Sequence, residues 1–407
     1  MSDWRKLAFP DVVLINPTVK LDKGSVYPFV EMAALQPEGK FVYASEQRIF
    51  STSGSRFADG DTLFARITPC LENGKIAMYR AVDKGSLAHG STEFIIFRGK
   101  PSITTSEFIH YVATSPRVRE FAIAKMTGTS GRQRVPTTAF EHLDVHVPNI
   151  ETQQTITGLL CALDDKIDLN RRMNETLESI ARALFKDWFV DFGPTRAKAE
   201  GQAPYLDPEI WELFPDTLDD DDKPVGWINS RLGDFVELVY GKALKADIRK
   251  PGSIPVYGSN GQVGWHNVNL ADGPGVIVGR KGNPGTANYV IEDFFCIDTT
   301  FYAKPKSPHW TYSFLWLLME QLNLPGLAAD SAVPGLNREI AYSAECVAPK
   351  SEVAVAFSET VEPLLTRIAH NKKESETLAQ LRDLLLPKLM SGEIRLCDAE
   401  RAVEAVL

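Results

Sequence analysis

The second half of this 407-residue chain repeats the first, and that repeat limits its architecture more than any other feature. Sliding residues 148–186 forward by 201 positions aligns nine identities in 39: Pro148/Pro349, Glu151/Glu352, Leu163/Leu364, Ile167/Ile368, Asn170/Asn371, Glu175/Glu376, Thr176/Thr377, Leu177/Leu378 and Leu184/Leu385. About two would coincide by chance. Upstream the echo persists with small shifts, as Val135-Pro136 against Val333-Pro334 and Ala58-Asp59-Gly60 against Ala271-Asp272-Gly273. The plan is globular region, helix, linker, globular region, helix.

In the first helical region Ile156, Leu160, Leu163, Ile167, Asn170, Asn174, Leu177, Ala181, Leu184 and Trp188 follow a 4-3 spacing, the pattern of a coiled-coil seam. Such a helix is roughly 50 to 60 Å long and needs a partner. The second region supplies Val361, Leu364, Ile368, Asn371, Ser375, Leu378, Leu385 and Leu389 at the same spacing, with a weak position at Arg382. Pro363 fits a first turn if Thr360 is the cap, and Pro387 is expected to kink or end the helix. Asn170 and Asn371 hold matching seam positions. A buried seam Asn fixes register and could pair with the other; the alternative is that each faces solvent.

Before each helix lies a mixed region. Strands are expected at Asp61 to Ile67, Glu93 to Arg98 and Leu143 to Val147, with a helix at Ser106 to Met126; the second copy offers Gly275 to Gly279, Phe294 to Ala303, Ala344 to Val347 and a helix at Thr311 to Leu322. Residues 193–230, with five prolines and the acidic run Asp219 to Asp222, read as a linker with a solvated charge run. The resulting division is 1–150, 151–192, 193–230, 231–350 and 351–407.

The formal net charge of −9 hides its own distribution. Residues 1–150 carry 18 Lys+Arg against 15 Asp+Glu, residues 224–350 carry 11 against 11, and the deficit lies in the helices and linker. These sums leave room for a basic binding face on either globular region. There is no run of about 18 apolar residues and no secretory signal pattern, so neither a membrane span nor export is expected, and the reading is cytoplasmic. The five cysteines stand far apart without a Cys-x-x-Cys and read as isolated buried thiols.

Several chemistries lack their residues. Asn16-Pro17-Thr18 has neither the second proline nor the aromatic of a base-gripping methyltransferase loop, and Gly241-Lys242 has no upstream glycine at phosphate-loop distance. Pro10-Asp11 with Glu38-Gly39-Lys40 is too scattered for a nuclease. Gly258, Gly261 and Gly264 lack the strand–helix context of a dinucleotide site. His142, Asp144 and His146 are expected on one strand face, which reads as polar surface rather than a metal site. What remains is contact with DNA. Thr129, Ser130, Arg132, Gln133 and Arg134 combine small hydroxyls, two guanidinium forks and an amide within a glycine-bearing loop, which suit phosphates and base edges. One of the two arginines is expected on a base and the other on a phosphate. In the second copy Asn260, Gln262, Arg280, Lys281 and Asn283 offer a similar set. Each cluster alone is also what an ordinary polar loop contains; the repeat strengthens both, because two readers on one spacer suit a two-part target.

Asn170 to Phe192, Leu381 to Ile394, and Thr127 to Pro136 followed by Val145-His146-Val147-Pro148 and Gln153-Gln154 resemble the conserved regions of type I restriction-modification specificity subunits. The resemblance covers essentially the whole chain. It departs at Asp330 to Leu336, where the second copy lacks the basic Gly-Arg-Gln-Arg sequence, so base reading by Arg132 and Arg134 does not transfer there. The resemblance implies an α+β fold of two similar α/β target recognition domains separated by two long antiparallel coiled-coil helices. It further implies a chain without catalytic activity that reads bipartite double-stranded DNA and docks two modification (methyltransferase) subunits and restriction (translocase/nuclease) subunits. In that picture S-adenosylmethionine, ATP and magnesium belong to the partners and this chain binds no cofactor or metal. The helix seam, Leu163, Ile167, Asn170, Leu177, Leu184, Leu364, Ile368, Asn371, Leu378 and Leu385, is then the scaffold. The competing reading is a structural coiled-coil adaptor with protein-binding globular ends.

Overall fold

A computed structural model describes residues 4–404 apart from 38, 84, 130, 329–334 and 395. The chain forms two compact units: residues 1–172 with 372–407, and residues 173–371. Each unit therefore contains one globular repeat and part of both long helices.

The first unit is built on a five-stranded sheet in the order Val13–Ile15, Phe94–Gly99, Thr62–Ala65, Ile76–Tyr79, Phe41–Val42. A four-stranded sheet runs Glu46–Ile49, Val26–Val30, Leu87–Gly90, Ser55–Ala58, and Arg5–Ala8 pairs with Asp144–Val147. The strands Thr62–Ala65 and Ile76–Tyr79 are buried at every residue, as apolar runs covered on both faces should be. The expected single helix from Ser106 is two, Ser106–Thr114 and Pro116–Ala124. Pro116 cannot continue the first helix but suits the opening turn of the next.

The second unit repeats the plan. Its four-stranded sheet runs Val236–Tyr240, Thr300–Pro305, Gly275–Gly279, Ala287–Val290, the same spatial order as the first four strands of its counterpart. Gly261–His266, Ile254–Gly258 and Phe295–Cys296 form a three-stranded sheet, and Ile228–Arg231 pairs with Glu345–Ala348. The expected strand from Phe294 to Ala303 is thus two strands in different sheets. Thr105 and Thr311, 206 positions apart, cap equivalent helices by accepting from the amides of Phe108 (3.1 Å) and Phe314 (3.4 Å). The sequence echo at Ala58 and Ala271 likewise precedes equivalent central strands.

Residues 193–230 are folded rather than a loose linker. They contain helices Gly193–Ala199 and Pro208–Trp211, and they bury Trp211, Phe214 and Trp227. Burying three large aromatics outweighs the disordering tendency of the prolines. The acidic run is a turn held by Lys223 on Asp219 (2.8 Å) and Arg196 on Asp222 (2.6 Å). Of the five free cysteines only Cys296 is buried; Cys397 is exposed, and Cys70, Cys161 and Cys346 are half-buried.

The long helices are Ile150–Phe189 and Ser351–Ser391. Inside each unit their segments pack antiparallel. In the first, Lys166 meets Glu374 (3.2 Å) while Asp164 meets Arg382 (2.7 Å). In the second, Asn174 meets Asn371 (2.8 Å) while the rings of Phe185 and Trp188 lie 5.6 and 5.5 Å from Phe357. Contrary to expectation, Pro363 lies inside the second helix and Thr360 is no cap, donating instead to the Ala356 carbonyl at 2.8 Å; Pro387 does not end the helix, which runs on to Ser391. Pro363 is exposed, whereas Val361 and Leu365 beside it are buried in the seam. Their packing offsets the roughly 3 kcal/mol an interior proline costs.

Candidate nucleic-acid interface

In the first unit the predicted loop is closed at its root by paired backbone hydrogen bonds between Thr127 and Arg134 (3.0 and 2.9 Å). Gly128 (φ 127°) and Gly131 (φ 76°) supply backbone angles that residues with a Cβ rarely adopt, and Arg132 N–H donates to the Thr129 carbonyl at 3.0 Å. Gln133 is anchored by its main chain, exchanging hydrogen bonds with Thr68. Thr129 and Arg132 are exposed, and the Arg132 guanidinium makes no hydrogen bond or ion pair among the described residues. Arg134 differs: its Nε and Nη2 grip the Glu93 carboxylate at 2.7–3.0 Å. A bidentate pair fixes the side chain and neutralises it, so the two arginines are not equivalent. Ser130 lies outside the described residues.

In the second unit the five predicted residues come together. Gly258 pairs with Gly261 across a tight hairpin whose tip is Ser259-Asn260, with Gln262 following. The Arg280–Asn283 segment lies against that tip: a Cβ on Gly282 (φ 87°) would stand 2.8 Å from Ser259 Oγ, so glycine permits the approach. Asn260, Gln262, Lys281 and Asn283 are exposed. Arg280 donates through Nε and Nη2 to the Asp298 carbonyl (3.1 and 2.6 Å), with its guanidinium 5.3 Å from the Tyr240 ring centroid.

The backbone shows which parts of the two sets correspond. Arg66 N–H donates to the Glu93 carbonyl (2.9 Å), and the Arg66 carbonyl accepts from Val135 (2.9 Å). Arg280 N–H donates to the Thr299 carbonyl (2.9 Å), and its carbonyl accepts from Leu336 (2.9 Å). Isolated bridges Ile67–Arg134 and Lys281–Gly335 complete the match. Arg280 therefore corresponds to Arg66, which sequence reasoning missed, and not to either arginine of the first loop. The counterpart of that loop ends at Gly335, and the Asp330 to Pro334 departure lies outside the described residues.

Of the seam residues, Leu163, Asn170, Ile368, Asn371, Leu378 and Leu385 are buried, whereas Ile167, Leu177, Leu184 and Leu364 are half-buried. Leu364 flanks the seam, with Leu365 inside. The asparagines do not face solvent. Asn371 donates to Asn174 Oδ1 (2.8 Å), and Asn170 donates to Glu374 (2.7 Å) and Ser375 (3.3 Å). The weak position Arg382 is an ion pair with buried Asp164, which also accepts from the Tyr111 hydroxyl at 2.5 Å. Asp144 and His146 share an exposed strand face, Asp144 pairing with Lys6 at 2.8 Å, but His142 belongs to the preceding 3-10 helix Thr137–His142. No cluster of metal-binding side chains occurs among the described residues.

Residues 2–179 match the family described as type I restriction modification DNA specificity domain. The HindI specificity subunit of Haemophilus influenzae is 26% identical over an alignment covering 97% of this chain and 100% of that protein. Residues 2–179 thus carry this specificity domain, and the chain resembles type I restriction enzyme specificity subunits along nearly its whole length. The MjaIX specificity subunit of Methanocaldococcus jannaschii is 23% identical over 71% of this chain and 69% of that relative. The S subunit of the M. genitalium type I system shares the fold, with a TM-score of 0.57 at 17% identity over 95% of this chain and 96% of that one. Among the described residues no helix is long and apolar enough to cross a membrane.

Proposed function

We propose that this chain reads a bipartite double-stranded DNA sequence for a type I restriction-modification complex, one half-site per unit, and that the helices carry two modification subunits and, in the larger assembly, restriction subunits. The observation that carries this reading is a cluster of polar loop residues gathered at the same node of two units of one plan: Thr129 and Arg132 beside Arg66 in one, Asn260, Gln262, Lys281 and Asn283 beside Arg280 in the other. Exposed Arg132, Asn260, Gln262, Lys281 and Asn283 supply forks and amides suited to base edges and phosphates. S-adenosylmethionine, ATP and magnesium belong to the partner subunits, in keeping with a sequence that lacks the base-gripping and phosphate-loop motifs, and the complex works in the cytoplasm. Near-neutral reading units leave much of the phosphate neutralisation to the partners, so the isolated chain binds DNA weakly.

The test is to co-express the chain with its modification subunits, measure binding to genomic DNA fragments, and map the methylated sites in that host. The reading predicts one two-part sequence with a fixed spacer, and salt-sensitive binding that requires the complex. A host without new methylation, combined with a complex that binds no DNA, would leave the adaptor alternative.

A further inference from the structure

We infer that Arg66 and Arg280 are a matched pair of DNA-backbone clamps, one in each unit, each holding a phosphate at the root of the loops its unit offers to the duplex. The inference rests on the DNA-reading function proposed above and adds residues to it.

The first support is positional. Arg66 and Arg280 occupy the same node, the end of the central strand, where the chain hydrogen-bonds on one side to residue 93 or 299 and on the other to residue 135 or 336. In each unit the polar loop residues extend from this node. A group placed there sets the distance between loop and duplex, which is what backbone contacts do, whereas residues farther out reach the bases.

The second support is charge. Arg134 beside the node is neutralised by Glu93, and neither Arg66 nor Arg280 makes an ion pair among the described residues. Arg66 faces a groove of about 410 Å³ lined by Asn16, Thr18, Ser55, Arg56 and Thr92 among others, with no carboxylate in its wall. Its Nε is shielded from solvent yet has no hydrogen-bond acceptor. A second cation, Arg56, stands in the same groove, its guanidinium held 4.9 Å from the centroid of the Phe50 ring. Two guanidinium groups among neutral donors, one short of an acceptor, match an oxyanion that brings both charge and acceptors. Arg280 reaches the same condition differently. Two of its N–H groups are spent on a main-chain carbonyl, which orients the side chain without neutralising it, so a positive, aimed guanidinium remains.

The test uses the complex of the full chain with its modification subunits, titrated with a cognate duplex and an unrelated duplex over a range of salt. Arg66→Gln and Arg280→Gln should each weaken both duplexes by the same factor, about five- to tenfold, lower the salt slope by about one, and leave the methylated sequence unchanged. Arg66→Lys, which keeps the charge, should retain the slope. If Arg66→Gln prevents assembly, the Arg66→Lys and Arg280→Gln results decide. Relaxation of one half-site position would make the residue a base reader and overturn the clamp. Wild-type affinity and slope in either glutamine variant would overturn the pairing. A wild-type complex with no DNA affinity would instead remove the function on which the clamp rests.

Discussion

His110 shows how one buried group ties the first unit to pH. Its ring is enclosed, with Nδ1 3.4 Å from Thr62 Oγ1, and burial, reinforced by the charges of Lys40 and Arg382, pushes its pKa down to about 3. The unfolded chain takes up this proton near pH 6.5. A folded pKa below the unfolded one means that stability is full above about pH 6.5 and drains as pH falls toward about 3. Between pH 6.5 and 5 the loss should approach 2 kcal/mol. Urea denaturation of the full chain at pH 7.5 and 5.0 measures it, and His110→Gln should remove most of the difference; an unchanged acid loss in the variant would place the titrating group elsewhere. The same scale explains what the sequence concealed about the readers. Arg132 and Arg134 were legible as candidates because of their company of glycines and hydroxyls, but Glu93, 41 positions from Arg134, decides which of them is free. Arg66 could not be matched to Arg280 by any single offset. Arg66 and Arg280 stand 214 positions apart, Glu93 and Thr299 206, and Val135 and Leu336 201, because the loops between shared strands differ in length.

At the scale of elements, the heptads were legible because a buried seam imposes its spacing on every turn, while partners across the seam were not, since periodicity names a face and not its occupant. Arg382 was read as a weak point in the pattern. It is instead a cation, 13% exposed, against an Asp164 side chain 2% exposed, with Tyr111 satisfying a second carboxylate oxygen. Removing one partner from such a pair strands a buried charge, which costs about 3–5 kcal/mol, whereas replacing both with apolar groups is often neutral. Arg382→Leu, which leaves the buried Asp164 carboxylate without its cation, should therefore destabilise the chain by that amount, and Asp164→Leu with Arg382→Leu should recover most of it. A thermal and chemical double-mutant cycle checks this. If the double variant is as unstable as the single, the pair does more than satisfy itself, and its role in setting the register of the helices would have to be taken as structural necessity.

At the scale of the whole molecule, the repeat implies that each unit reads independently, and the joint between recognition domain and helix says how an exchange should be made. Gln153, fully buried in the first turn of the first long helix, donates to the carbonyls of Ile103 (2.8 Å) and Pro148 (2.9 Å) and accepts from the Thr105 amide (3.0 Å). All three partners are main-chain groups, so this contact tolerates any side chains on an incoming domain whose backbone follows the same path, while the Tyr111 hydroxyl on Asp164 (2.5 Å) has to be kept. Replacing residues 1–150 with those of a family member should then preserve assembly with the modification subunits and change one half of the methylated sequence, leaving the other half and the spacer as they were. The second unit closes its own core around Trp227, Phe314 and Phe357 without residues from 1–150, which is why its half-site should not respond. Mapping methylated sites in a host carrying the hybrid gives the answer. Change in both halves would mean that the units read jointly, and change in neither would mean that residues 1–150 do not read DNA.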